Sequence, residues 1–286
     1  MSDVFDWHEG DSPLLISIPH DGREIPPDIA TGMTEAGLAI PDTDWHVRRL
    51  YAFAESIDAS VIAANYSRYV VDLNRPPGGE ALYEGQVSTG LCPLETFAGE
   101  PIYEDGYSPD ADEIERRLGQ YWNPYHRQLL RAIADIRTGY GYAVLWDAHS
   151  IRSEVPRLFS GTLPDLSLGT NDGASCPDEV LGKVLHAVSA MSNAAAANAR
   201  FKGGYITRHY GRPEKREYAV QLEVAQRCYM DEATLRYDEA RAGAFAEALE
   251  TLLTIYRAAV TLYDTGKMRE FLRKHARHPQ RRKRRR

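Results

Sequence analysis

The chain has 286 residues, 43% of them hydrophobic and 26% charged, a balance that excludes disordered and fibrous classes and fits one large globular domain or two small ones. Its net charge of −7 conceals an asymmetry: residues 267–286 hold eleven Lys and Arg against Glu270 alone, so the preceding 266 residues carry 23 basic and 40 acidic side chains, a balance of −17. A body this acidic is a poor partner for nucleic acid, which needs a basic face, and no run of 18 uncharged apolar residues offers a membrane span.

In chain order, apolar runs of strand length alternate with longer stretches of helical period, which predicts a layered α/β domain. Strands are predicted at 13–19, 60–65, 68–73, 142–147, 204–207 and 218–224, and helices at 43–57, 110–138, 177–192 and 239–263. In the last helix Ala244, Phe245, Ala248, Leu249, Leu252, Leu253, Ile255 and Tyr256 follow the spacing of a buried stripe. The segment 76–109 is rich in Gly, Pro and Glu without a period, as functional covers or insertions are. No internal linker divides residues 1–266, which are expected to form one domain. The basic segment 267–286 is expected to be a disordered appendage that binds polyanions weakly at most. The acidic N-terminus lacks the apolar core of a secretory signal. Cys92, Cys176 and Cys228 are widely spaced and never form CxxC, as a reducing compartment permits, so a cytoplasmic protein is expected.

Ionisable residues gather where strands end, the place where open α/β sheets bind ligands. His20 follows the first apolar strand in ISIPHDG, and Asp147 and His149 follow another in AVLWDAHS. Asp147 and His149 are read as alternating in direction along the extended chain, so that one faces a cleft while the other supports it. A lone histidine is more often a structural hydrogen-bonding group. Two on separate strands, with carboxylates nearby, suit Zn²⁺ with three protein ligands and an open position. The carboxylate ligand has several candidates. Asp42 and Asp44 in PDTDWHVRRLY read equally well as helix caps, Glu24 lies four residues after His20, and His46 competes from the first helical turn.

In SRYVVDLNRPP, Asn74 and Arg75 leave a strand next to Pro76. An arginine fork grips a carboxylate bidentately and a neighbouring Asn can donate a further bond. Arg68 begins the same strand, and an internal ion pair with Asp72 is its structural alternative. Glu223 stands inside the apolar strand YAVQLEV with Gln221 on the same face. Burying such an acid is costly without a role, and beside a metal-bound water a carboxylate serves as general base. GxSxG, P-loop, GxGxxG and HExxH signatures are absent.

ISIPHDG, PDTDWHVRRLY, YSRYVVDLNRPP, VLWDAHSIRS, LGTNDGASC, RFKGGYITRHYG and AVQLEVAQ together resemble the N-formylglutamate amidohydrolases, or N-formylglutamate deformylases, of bacterial histidine degradation. The resemblance runs in order from about residue 12 to about residue 265. It implies a three-layer α/β/α fold with a central mixed sheet, phosphorylase/hydrolase-like and similar to zinc carboxypeptidases. It also implies zinc-dependent hydrolysis of N-formyl-L-glutamate to formate and L-glutamate, the final step of a histidine degradation route. By chain order, His20, a carboxylate and His149 would hold the zinc, Glu223 would act as base, and Asn74 with Arg75 would bind a substrate carboxylate. Those carboxypeptidases place the acidic ligand three residues after the first His, where this chain has Arg23. Asp44 is preferred to Glu24, because Ile25 and Pro26 carry the chain onward. A substrate with two carboxylates needs more cationic grips, for which Arg68, Arg152 and Arg208 are candidates, with Asn171 as a further donor. The alternatives are an amidohydrolase of another N-acyl amino acid and, more distantly, a polyanion-binding protein working through the basic tail.

Overall fold

The structure, a computed structural model, describes residues 3–80, 89–191 and 193–276. Its strands are β1 (Phe5–His8), β2 (Leu14–Ile18), β3 (Ser60–Ala64), β4 (Ala143–Ile151), β5 (Leu166–Gly169), β6 (Ala195–Ala197), β7 (Glu217–Ala225), β8 (Met230–Asp231) and β9 (Arg236–Tyr237). The first seven form one sheet in the order β1-β3-β2-β4-β7-β5-β6, and β8 pairs with β9 separately. The centre, β3-β2-β4-β7, is parallel. β1 joins β3 and β5 joins β7 antiparallel, so the sheet is mixed.

Three one-turn helices, α1 (Pro27–Ala30), α2 (Glu35–Leu38) and α3 (Val47–Leu50), precede β3. Then come α4 (Ala111–Arg117), a π-helical turn at Leu118–Trp122, α5 (Asn123–Tyr140), α6 (Asp178–Ala190), α7 (Tyr205–Tyr210) and α8 (Glu239–Ala276). Strand alternation assigns the two faces. Leu14, Ile16, Val144, Trp146, Tyr218, Val220 and Leu222 pack in one core with Val180 and Val184 of α6 and Leu249, Leu252 and Tyr256 of α8. Leu15, Leu145 and Ala219 belong to a second core with Tyr125, Leu129 and Ile133 of α5 and Ile206 of α7. The layers are helix, sheet, helix, as expected. Among the described residues no helix is long and apolar enough to cross a membrane.

Several elements differ from the sequence expectation, each for a physical reason. Residues 68–73 form a buried turn instead of a strand: Val70 N–H donates to Ser67 O at 2.9 Å and Asp72 N–H to Leu91 O at 2.7 Å, so its backbone is satisfied without a ladder. The expected strand at 204–207 is α7, whose first N–H groups are met by distant side chains: Gln221 Oε1 accepts from Gly204 and Asn74 Oδ1 from Ile206. The expected helix 43–57 is broken by His46, whose φ of 63° admits only α3 and a 3-10 segment after it. Neither Asp42 nor Asp44 caps a helix. α8 continues to Ala276, into the basic segment expected to be disordered from 267. Lys and Arg are good helix formers and extending an anchored helix costs little per residue. Residues 277–286, and 81–88 of the unpatterned segment, lie outside the described residues.

Candidate active site

Asp147 and His149 of β4 do not point opposite ways as expected: side-chain direction repeats every second residue, so both lie on one side of the sheet with Gln221 and Glu223 of β7. The parallel register sets Asp147 beside Gln221 and His149 beside Glu223. His20 joins them two residues beyond β2. Its turn lies against the next segment because position 22 is glycine: a Cβ there would lie 2.2 Å from Tyr66 O. The loop before α3 is tied to this turn by the Asp44 N–H, which donates to His20 O at 3.0 Å. The carboxylate of Asp44 therefore meets both imidazoles, at 3.0 Å from His149 Nδ1 and 3.8 Å from His20 Nδ1.

His20, Asp44 and His149 offer ligand atoms that all lie within 4.8 Å of one another, and all three residues are buried. The far nitrogen of each histidine meets a second carboxylate, His20 Nε2 at 2.8 Å from Asp72 and His149 Nε2 at 3.1 Å from Asp147. Metal-binding histidines show this pairing, because the outer carboxylate fixes the ring and raises its basicity. The fit to a cation rests on one further atom: His20 Nδ1 is buried, faces Asp44 and has no hydrogen-bond partner. Two imidazoles and a carboxylate suit zinc.

Electrostatics follow the same pairing. Burial disfavours the imidazolium of His149, but Asp147 and Asp44 outweigh it and hold its pKa well above the usual value. Burial and Arg68 lower that of His20. Burial opposes the charge of Asp72, yet His20 and Arg68 keep its carboxyl well below the ordinary range. Glu223 has no such compensation: burial, with Asp44 and Asp147 also nearby, pushes its carboxyl up to about 8 against the pull of His149 and Arg68.

His20, Asp44, His149 and Glu223 border a cavity of about 80 Å³, lined also by Arg68, Asn74, Arg75, Arg200, Phe97 and Phe201 among others. Arg68 is nearly buried, donates to Asp72 at 2.6 Å and lies 3.8 Å from Asp44, so it serves the network as well as the cavity wall. Arg75 donates to Thr89 O and Oγ1 at 2.8 and 2.9 Å. Asn74 lines the same cavity and its side chain is engaged by protein groups. Its Nδ2 lies 3.2 Å from Asp147 and 2.8 Å from His149, its Oδ1 accepts from Ile206 N–H, and Gly204 leaves it room, since a Cβ there would sit 2.4 Å from Nδ2.

The remaining candidates lie away from this cavity. Glu24 borders a different one with Tyr66 and Tyr121. Arg152 lines a neighbouring cavity beside Asp42. Arg208 donates to Gly203 O, while Asn171 turns the chain with a φ of 49°, and neither lines the site. His46 bonds to Leu235 O at 2.9 Å.

Sequence reasoning overlooked Arg200, which stands in the conspicuous RFKGGYITRHYG block, and two braces from the start of α5. Trp122 Nε1–H donates to Arg75 O at 3.1 Å and His126 Nε2 lies 2.9 Å from Leu73 O, so together they bracket Asn74. The π-helical turn before α5 brings Trp122 and His126 into a stack with ring centroids 3.7 Å apart.

The chain has close relatives. The sequence profile described as N-formylglutamate amidohydrolase matches residues 12–230. An N-formylglutamate deformylase of Pseudomonas aeruginosa is 50% identical over 260 residues, covering 88% of this chain and 97% of the relative. One from Pseudomonas putida is 50% identical over 234 residues, covering 81% and 87%. The crystal structure of an N-formylglutamate amidohydrolase from Ralstonia eutropha superposes with a TM-score of 0.75 at 24% identity over 92% of this chain and 99% of that one, which shows a shared fold. From its profile match and its identity to these relatives, the chain belongs to the N-formylglutamate amidohydrolase family.

Proposed function

We propose that this protein hydrolyses N-formyl-L-glutamate to formate and L-glutamate, with a zinc ion held by His20, Asp44 and His149. The observation that carries the metal reading is the buried, partnerless Nδ1 of His20 facing a carboxylate that a second imidazole already meets. The substrate reading is supported by the names of the two half-identical relatives. When bound, zinc would polarise the formyl carbonyl and bring the pKa of a water to about 7.

The chain's own residues would supply the rest. Glu223, beside His149 in the sheet, takes the proton of the attacking water and returns it to the nitrogen as the C–N bond breaks. Asp72 and Asp147 hold the two imidazoles. Arg75 and Arg200 line the wall where the two carboxylates of the substrate would be received, and Arg68 adds positive charge beside Asp44. Family membership supports a place at the end of histidine degradation, in the cytoplasm.

The test is formate release by the purified protein, with its metal content measured before and after chelation. Stoichiometric zinc, loss of activity on its removal and recovery on its return are expected. A metal-stripped protein that still releases formate at the full rate would sink the metal reading.

A further inference from the structure

We infer that Phe97 sets the acyl specificity of this site by walling it off from a second, larger cavity. The inference rests on the amidohydrolase reading above and names the part of the substrate that the wall confronts. Beside the 80 Å³ site cavity lies another of about 560 Å³, and Phe97, Ser150 and Ile151 line both. Beyond this shared wall the linings diverge. Arg75, Arg200 and Glu223 border only the site cavity, and Asp42, Thr43 and Gln226 only the larger one.

The wall stands at the metal-ligand end of the site. Ser150 N–H donates to Asp44 Oδ2 at 3.1 Å, and the Phe97 ring lies 4.9 Å from the guanidinium of Arg68, which itself approaches Asp44. A substrate whose carbonyl carbon sits among His20, Asp44, His149 and Glu223, and whose carboxylates reach Arg75 and Arg200, turns its acyl substituent away from the arginines. That substituent therefore meets the wall. In a formyl group it is a hydrogen atom, whereas every added carbon must be accommodated against Phe97, beyond which the larger cavity lies.

Phe97 is also held firmly enough to act as a wall. Its backbone N–H donates to the buried Asp42 carboxylate at 2.7 Å, and its ring packs on the small core of Ile151, Val155 and Leu163. Of the three shared residues it has the largest side chain to remove, and truncating it joins the two cavities without touching a proposed ligand.

The experiment compares kcat/KM for N-formyl-, N-acetyl- and N-propionyl-L-glutamate in the wild type, Phe97→Leu and Phe97→Ala, following glutamate release. A hydrophobic pocket discriminates by about 10–200-fold per methylene. The acetyl-to-formyl ratio is therefore expected to rise at least about tenfold in Phe97→Ala, with Phe97→Leu between it and the wild type. N-acetyl-L-glutamate should likewise inhibit the variants at lower concentration than the wild type. General destabilisation lowers the rates for all substrates together and leaves the ratio unmoved, and if Phe97→Ala does not fold, the ratio in Phe97→Leu decides. A ratio unchanged in folded variants, or a wild type that cleaves the acetyl and formyl compounds equally well, overturns the inference. A wild type inert toward all three overturns the amidohydrolase reading itself.

Discussion

β4 shows two ways of burying a strand. Toward α6 and α8 it presents Val144, Trp146 and Ala148, all buried within an apolar core. Toward α5 and α7 it presents Leu145, Asp147 and His149, buried as completely. On the first face the gain is transfer of apolar surface from water, and shape fit is all that packing requires. On the second, each charge must find a partner or shift its pKa. Asp72 and Asp147 find partners in the histidines, and Glu223 shifts. Equal burial thus hides opposite energetics, and His20 Nδ1, without a hydrogen-bond partner, and Glu223, with its raised pKa, lie where chemistry is proposed.

The sharpest way to break this contrast is on the polar face. Glu223→Gln keeps shape and removes the basic oxygen, so kcat for formate release should fall at least about 100-fold with bound zinc and melting temperature retained. A folded, metal-loaded variant that works at a tenth of the wild-type rate would return Glu223 to a structural role. The apolar face should answer in the other currency: Leu252→Ala, in the core under α8, is expected to cost about 2–5 kcal/mol of stability by denaturant titration. Turnover per folded molecule should stay unchanged.

Asp72→Asn probes the outer carboxylates. It leaves the three proposed ligands in place but unties His20 Nε2, so zinc affinity measured by chelator competition should drop about 10–100-fold. The last effect is in the pH dependence of stability and comes from His126, whose pKa burial pushes down to about 3. Between about pH 6.5 and 3 the unfolded chain binds a proton there that the folded chain refuses, so stability is present above that window and lost as pH falls through it. His126→Gln, which can still donate to Leu73 O, should remove up to about 1.4 kcal/mol per pH unit from the difference in unfolding free energy. Parallel pH profiles for the two proteins would show that His126 is protonated in the fold.

Much was legible in the chain itself, because local patterns carry their own physics. Apolar runs announced β2, β3, β4 and β7, helical period announced α5, α6 and α8, and the polar residues that interrupt strands, His149 and Glu223, advertised a cost needing a reason. Asp147 and His149 do not alternate in direction as read from the chain: two residues apart, they share a face, and there Asp147 meets the His149 ring. Tertiary structure decided what local pattern leaves open. Asp44, Asp42 and Glu24 are equal as carboxylates near His20, and only the fold turns the Asp44 loop onto both imidazoles while sending Glu24 to another cavity. Among the arginines, the loop paths bring Arg68, Arg75 and Arg200 to the site and leave Arg152 and Arg208 outside its wall. Asn74 reads as a substrate donor because an apolar run precedes it and an arginine follows it. Its side-chain hydrogen bonds to β4 and α7, elements at least 69 residues away in sequence, counting from Ala143, are set by the fold alone. Periodicity reports which face a side chain takes along its own element, whereas a site is built from side chains whose neighbours are set by the register and crossing of distant segments.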